Sequence, residues 1–224
     1  MIGILLFLAA ILLIVLFHEM GHLFVGRWVG IHCDKISIGF GPKLWGRFDS
    51  KGTEWVISPL PFGGYVRPRL EGTSIRQRIA MIAAGPFVSI FPPLFIMEAY
   101  VALKGKQSII SRIISSWDKI AEAGNLGLNG HVEGFNIMAN FSIPDFTSWL
   151  ILLAVLSVMI GILNLIPLMP FDGGRLFLAA FEAILGKDSK GYIIFEKVFS
   201  FIGVMFYLFL FIYPFYLDYV YLTK

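Results

Sequence analysis

Apolar residues are concentrated in four long runs that are separated by more polar stretches. The runs cover residues 2–26, 79–101, 149–168 and 192–217. Each is about as long as the roughly 20 residues that an α-helix needs to cross a bilayer. The first run follows no basic segment and is longer than the apolar part of a signal peptide, which favours a retained span. The pattern predicts an α-helical integral membrane protein with about four spans, in a single domain over residues 1–224.

Shorter alternating segments between the first two runs predict β-structure. "KISIGFG" and "TEWVISPL" are typical of short strands, and the intervening "PKLWGRFDSKG" is rich in turn-forming residues. We expect a small membrane-associated β-hairpin or sheet within residues 31–66, although an amphipathic hairpin on the membrane surface has the same pattern. The connection over residues 102–148 contains "AGNLGLNGHVEG", which predicts an irregular or hairpin-like outer loop.

Composition supports a membrane protein and limits the classes of partner. The chain is 57% hydrophobic and 15% charged, with a mean hydropathy of +0.78, which is more apolar surface than a soluble core of this length can hide. The net charge of +3 is explained by loops beside anionic lipid, so no nucleic-acid partner is needed. Cys33 is the only cysteine, which excludes a disulfide within the chain.

Basic residues in the loops predict the orientation. Nine Lys and Arg residues lie between the first and second runs, against four between the second and third. Because short loops rich in Lys and Arg stay in the cytoplasm, the first connection is expected to be cytoplasmic. The protein is then a multi-pass protein of the cell membrane with both termini outside.

Two histidines and a glutamate lie at the cytoplasmic end of the first run, in "FHEMGH". His18 and His22 are four residues apart, so they share one helical face with Cβ atoms about 5–6 Å apart, close enough to bind one metal ion. Glu19 beside them can accept a proton from water at that metal. An ionisable residue at membrane depth costs about 2.5–3.5 kcal/mol on insertion scales, which makes it a functional candidate. Polar residues that reach out from the end of a span are the structural alternative.

A catalytic zinc site usually has three protein ligands, so one more is needed. The candidate lies in "NLIPLMPFDGGR", where prolines end the third run and two glycines allow a tight reversal. At 1.5 Å per helical residue, Asp172 is expected at the depth of the two histidines. An N-cap for the following helix is the alternative role of Asp172. His131 is a weaker candidate because it lies in the outer connection. His32 is nearer to the two histidines, but Asp172 is the better candidate.

These segments resemble the site-2 protease family of intramembrane zinc metalloproteases. The likeness rests on "HEMGH" in the first run, "RQRIAMIAAGP" at the second and "NLIPLMPFDGG" at the end of the third, supported by "GFGP" and "PFGGYV". The resemblance implies one Zn²⁺ per chain, held by His18, His22 and Asp172, with Glu19 as the general base. It also implies that Asn164 handles substrate near the site.

Three departures from the family are visible. Ser89 stands where the family often has asparagine, and Met169 where it often has proline, which puts local hydrogen bonding and loop shape in doubt. The connection over residues 102–148 is shorter than a PDZ domain, which several bacterial relatives insert here, so gating by such a domain is not expected.

The resemblance also favours a substrate-binding role for the β-rich segment near the cytoplasmic side. A substrate helix must unwind before cleavage, and its extended backbone needs hydrogen-bond partners within the membrane. A free strand edge supplies them by strand addition. The expected substrate contacts, besides Asn164, are Ile38, Gly39, Phe40, Gly41, Gly63 and Gly64.

The sequence therefore predicts a zinc-dependent intramembrane endopeptidase in the lipid bilayer, acting on a single-span or signal-peptide-like protein. A membrane metal-ion carrier is one alternative, although a carrier does not need Glu19 and usually has broken segments in several spans. A zinc protease of the CAAX-processing type is another, and such enzymes usually take a glutamate as the third ligand.

Overall fold

The computed structural model of the chain describes residues 2–105, 108 and 146–222. Five α-helices and four β-strands lie in these ranges, so the expected combination of apolar helices with a small sheet is confirmed. In chain order they are α1 (Ile2–Trp28), β1 (Cys33–Phe40), β2 (Trp45–Phe48), β3 (Glu54–Ile57), β4 (Leu60–Pro68), α2 (Ile75–Leu103), α3 (Phe146–Asn164), α4 (Asp172–Leu185) and α5 (Lys190–Leu222). The loop predicted over residues 102–148 lies largely outside the described residues.

Of the helices in the described residues, three are long and apolar enough to cross a membrane. They contain the segments Leu8–Trp28, Ile75–Leu103 and Lys190–Phe209. In α3 the corresponding apolar part, Leu152–Asn164, is shorter. The predicted helical architecture is thus confirmed with three candidate spans, and the fourth span at residues 149–168 stays a prediction.

The four strands form one sheet in the order β2-β3-β1-β4. β1 lies in the interior, parallel to β3 and antiparallel to β4. The segment "PKLWGRFDSKG", taken from the sequence as a turn, contains β2, which forms an antiparallel hairpin with β3. The segment does contain turns, on both sides of Trp45–Phe48, but β2 itself was not expected from the sequence. Among the described strands, none pairs with the outer edge of β4.

The sheet packs against the C-terminal half of α1 through a small buried core. Leu23 of α1 meets Cys33, Ile36 and Val66, with Trp55 against the cluster. Removing these apolar side chains from water contributes about 25 cal/mol per Å² of buried area. The core fixes β4 beside α1 near its two histidines.

A polar contact ties the β2–β3 turn to the end of α1. Arg27 donates to the carboxylate of Asp49, and its Nη2 lies 2.6 Å from Thr53 Oγ1. Trp55 Nε1 also donates to Asp49, at 3.0 Å. Burial alone would raise the pKa of the Asp49 carboxyl, but the hydrogen bonds from Arg27 and Trp55 hold that pKa below its ordinary range.

Small residues let α1, α2 and α3 approach closely. A Cβ atom on Gly21 would lie 2.7 Å from the carbonyl oxygen of Ala84, and one on Gly161 would lie 2.6 Å from Ile90 Cγ1. Helix association within a membrane depends on such close packing, since lipid offers little hydrophobic drive between helices. α2 therefore lies in direct contact with both of its neighbours.

The chain breaks between α3 and α4, as the prolines and glycines predict. α3 ends at Asn164, residues 165–171 form turns, and α4 begins at Asp172. A Cβ atom on Gly173 would lie 2.2 Å from the carbonyl oxygen of Leu165. Only glycine therefore lets the start of α4 pack against the turn that precedes it.

Phenylalanines join α4 to α5. The rings of Phe181 and Phe195 stack with their centroids 4.3 Å apart, and Phe177 and Phe199 extend the cluster at 5.2 Å from each other. Aromatic pairs in this range contribute beyond their buried area alone. α4 is thereby held against α5 on one side.

Candidate metal centre

Three potential metal ligands from distant parts of the chain meet inside the protein. His18 and His22 project from one face of α1, and Asp172 is the first residue of α4. One ligand atom from each residue lies within 4.8 Å of the others. All three residues are buried, with exposed fractions of 5%, 5% and 6%.

The Asp172 carboxylate faces both histidines. Its Oδ2 lies 3.0 Å from His18 Nε2 and 3.1 Å from His22 Nε2. The N-cap residue of α4 is Phe171, and no side chain caps this helix terminus. The alternative in which Asp172 caps α4 is therefore not what the structure shows.

The polar contacts at Nδ1 of the two imidazole rings leave their Nε2 atoms free to bind a metal ion. His22 Nδ1 donates to the carbonyl oxygen of Met81 at 2.8 Å, so a neutral imidazole must present its Nε2 lone pair inward. His18 Nδ1 lies 2.9 Å from Ser89 Oγ, which orients the second ring in the same way. Two imidazole nitrogens and one carboxylate oxygen, buried and convergent, fit Zn²⁺ with one coordination position left for water or substrate.

One face of α2 lies over both imidazoles. Met81, Gly85 and Ser89 follow each other at intervals of four residues and so share that face. A Cβ atom on Gly85 would lie 2.2 Å from His22 Nε2 and 2.7 Å from His18 Nε2. The absence of a side chain at Gly85 therefore leaves the room that the two rings occupy.

Glu19 is close to the three ligands but is not one of them. Its side chain is buried, with 8% of the residue exposed, and it lines a cavity of about 100 Å³ together with His18, His22 and Asp172. A Cβ atom on Gly64 would lie 3.1 Å from Glu19 Cγ. β4 thus runs directly beside Glu19.

Two further polar residues line the same cavity. Asn164, the last residue of α3, uses its Nδ2 to donate to the carbonyl oxygen of Ile160 at 3.1 Å. Arg175, one turn into α4, has its Nη1 3.9 Å from Asp172 Oδ1. Arg175 also lines an adjoining cavity of about 520 Å³ between β4, α2, α4 and α5.

The remaining residues predicted from the sequence are placed as follows. Gly64 lines the cavity with the ligands, and Gly63 lies next to it in β4. Ile38 pairs with Ile57 on one side and with Gly64 on the other, so the backbone of interior β1 offers no free edge. The other predicted contacts, Gly39, Phe40 and Gly41, lie in or just after β1.

His32, the other histidine in the described part of the chain, does not join the group. It is exposed and its Nε2 lies 3.5 Å from Asp34 Oδ1, and His131 is outside the described residues. Sequence reasoning missed the contacts made by Met81, Gly85 and Ser89. Their spacing of four residues, beginning in "RQRIAMIAAGP", was the available signal.

Comparison with known proteins gives a match along most of the chain. The family model described as Peptidase family M50 matches residues 6–210. The Regulator of sigma-E protease RseP of Escherichia coli is 34% identical over 130 residues, which are 49% of this chain and 28% of that protein. Protease RseP of Yersinia pestis is 38% identical over 109 residues, covering 42% of this chain and 24% of the relative.

A third relative carries the metal in its name. The "Putative zinc metalloprotease" of Agrobacterium fabrum is 34% identical over 125 residues, covering 45% of this chain and 33% of that protein. The chain thus spans about a third or less of the length of the curated relatives that it matches.

Proposed function

Because the chain belongs to peptidase family M50, we propose that it is a zinc-dependent endopeptidase that cleaves membrane-anchored proteins within or near their transmembrane segment. The resemblance to site-2 proteases seen in the sequence is confirmed by this family membership. The proposal rests on one observation: the buried side chains of His18, His22 and Asp172 lie close together beside Glu19. The chain acts as one membrane domain.

The three convergent side chains are the proposed zinc ligands. His18 and His22 supply neutral nitrogens, and Asp172 supplies the negative charge that compensates part of the cation's charge in a buried site. A zinc ion bound there provides Lewis-acid activation of water and of the scissile carbonyl group. The contacts from Met81 and Ser89 hold the two rings in the orientation that this requires.

Glu19 is the proposed general base. It lies one residue from His18 and shares the cavity with the three ligands, so it is within reach of a water molecule that attacks a carbonyl group held there. Glu19 takes a proton from that water and delivers it to the nitrogen of the leaving amine. Asn164, at the rim of the same cavity, contacts the substrate backbone.

The outer edge of β4 is the proposed binding site for the unwound substrate. Gly64 lies in this strand beside Glu19, so a peptide added along the edge passes the catalytic group. The free edge gives the extended substrate the backbone partners that lipid cannot provide. Gly63 and Gly64 therefore contact substrate directly, while Ile38–Gly41 supports β4 from its paired side.

The proposed orientation follows the loop charges. The β-rich segment and the metal centre lie near the cytoplasmic side, where water is available, and both termini lie outside. α3 completes the four spans. The partner is a protein with a single transmembrane helix or a signal-peptide-like segment.

Zinc quantification combined with a cleavage assay tests the function. Purified protein in detergent is expected to contain one zinc ion per chain and to cleave single-span reporter proteins. Glu19→Gln is expected to keep the zinc and lose cleavage, whereas Asp172→Asn loses both. Glu71→Gln and Asp188→Asn make the same chemical changes at exposed positions and should leave both properties unchanged.

Two outcomes would contradict the proposal. Zinc transport by the reconstituted protein, with no cleavage of any reporter, would favour a metal carrier. Full zinc content in Asp172→Asn would remove Asp172 from the ligand set and favour a protease with a different third ligand, such as the CAAX-processing type.

A further inference from the structure

A partly buried ion pair joins α2 to α4 away from the metal centre. Arg78 Nη1 lies 2.7 Å from Glu182 Oε2, and Nη2 lies 2.5 Å from Oε1 of the same carboxylate. The two side chains are 14% and 9% exposed. Two parallel hydrogen bonds from a planar guanidinium group restrict the relative rotation of the partners as well as their separation.

The ion pair connects the two helices that surround the metal ligands. α2 contacts both imidazoles through the Met81 carbonyl and the Ser89 hydroxyl groups, and Arg78 lies one turn before Met81. α4 begins with Asp172, and Glu182 follows ten residues later on the same helix, about 15 Å along its axis. A shift between α2 and α4 therefore moves the carboxylate relative to the imidazoles.

Local features do not fix the rotation of α4 by themselves. Its N-cap, Phe171, makes no side-chain capping bond. Arg175 places a positive charge in the first turn, where the helix dipole favours a negative one. Gly173 allows close packing against the preceding turn, and the ion pair adds a directional contact further along the helix.

Stability alone is a poor explanation for placing these two charges in a largely water-excluded position. Taking an arginine and a glutamate out of water carries a desolvation penalty, and well-packed apolar residues of similar volume often stabilise a protein equally or better. What an apolar pair cannot reproduce is the directional, two-point contact. The pair is therefore better explained by the geometry that it imposes on α4.

We propose that Arg78 and Glu182 are positioning residues that hold α4 at the rotation and depth where Asp172 meets His18 and His22. The proposal rests on the proposed zinc site. It assigns to the pair a role in metal affinity, although neither residue belongs to the group of metal ligands.

The test measures zinc affinity and thermal stability in parallel on the full chain in detergent. Zinc dissociation constants come from competition with a chromogenic chelator. Arg78→Lys keeps the positive charge but loses the two-point contact, and Arg78→Met combined with Glu182→Met replaces both charges by apolar side chains. Asp49→Asn is the control, since it weakens another partly buried ion pair that joins α1 to the sheet and does not involve α4.

We expect zinc affinity to fall at least tenfold in Arg78→Lys and in the double methionine variant. The thermal midpoint of the double variant should stay near that of the wild type, so that loss of affinity is separated from loss of stability. Asp49→Asn should lower the midpoint and leave zinc affinity within twofold of the wild type.

The inference is overturned if the folded double variant binds zinc within twofold of the wild type. It is also overturned if Arg78→Lys retains full affinity, because charge without directional contact would then be sufficient. A wild-type protein that binds no zinc contradicts the proposed function itself, which is a separate and recognisable result.

Discussion

Replacing Gly85 with alanine is expected to abolish zinc binding by a single added methyl group. The new Cβ atom would lie 2.2 Å from His22 Nε2 and 2.7 Å from His18 Nε2. Ordinary contacts between such atoms are about 3.5 Å or longer. The two rings or the backbone of α2 must therefore move by about 1 Å.

That movement is large for a metal site and modest for a protein fold. Ligand distances in a metal site are defined to within about 0.2 Å, so a shift of about 1 Å should reduce zinc affinity by about a hundredfold or more. Overpacking a buried position costs about 1–3 kcal/mol, and alanine recovers about 1 kcal/mol in a helix relative to glycine. The net cost of about 0–2 kcal/mol should leave the protein folded.

Zinc content and zinc-dependent stabilisation together provide the assay. The wild-type thermal midpoint should rise when zinc is added to metal-free protein, because the ion binds the folded state preferentially. Gly85→Ala should contain no zinc after purification and show no such rise. Gly191→Ala is the matched control, since a Cβ atom there meets nothing within 4 Å. One zinc ion per chain in Gly85→Ala, with the wild-type shift, would refute the steric reasoning.

Other contacts in the structure lead to three further predictions. Ser89→Ala removes the contact to His18 Nδ1 and should weaken zinc binding about 10–100-fold by chelator competition, and unchanged affinity would contradict this role. Gly64→Ala crowds Glu19 and should lower cleavage at least tenfold while the zinc content stays at one ion per chain, so equal losses of both would count against it. The depressed pKa of the Asp49 carboxyl means that its stabilising effect is present at neutral pH and is lost as the pH falls below about 4. Asp49→Asn should therefore show a smaller drop in thermal midpoint than the wild type between about pH 4.5 and pH 2.5, and parallel curves would exclude this contribution.

The ligand group was accessible to prediction because its members carry strong local signals. His18 and His22 have the spacing that places two rings on one helical face. Asp172 lies at a helix break that the neighbouring prolines and glycines predict. The expected membrane depth then related the two segments, since both were predicted to reach the same side of the bilayer. The structure brings the three residues together, and their role as zinc ligands is tested by the variants above.

The surroundings of that group were less predictable. Which side of α2 faces the imidazoles depends on how two apolar helices pack, and uniformly apolar helices carry little sequence signal for their rotation. Ser89 was noted only as a departure from the family pattern, yet its hydroxyl contacts His18. The pairing of Arg78 with Glu182 joins residues far apart in the chain, and neither residue has a local pattern that indicates the other.

The sheet was only partly predictable from the sequence, for a different reason. Alternation predicted strands near β1 and β3, but these two strands are parallel, and β2 pairs with the other edge of β3. β2 was hidden because Trp45–Phe48 lies among turn-forming residues. Strand pairing between non-adjacent segments depends on tertiary packing against α1, which short-range pattern does not encode.

The separation of the ligands along the chain has a consequence for biosynthesis. His22 and Asp172 are 150 residues apart, so a nascent polypeptide that has released only α1 and the sheet from the ribosome lacks one of the three donors. The complete group of His18, His22 and Asp172 can therefore form only after the segment carrying α4 has emerged and docked.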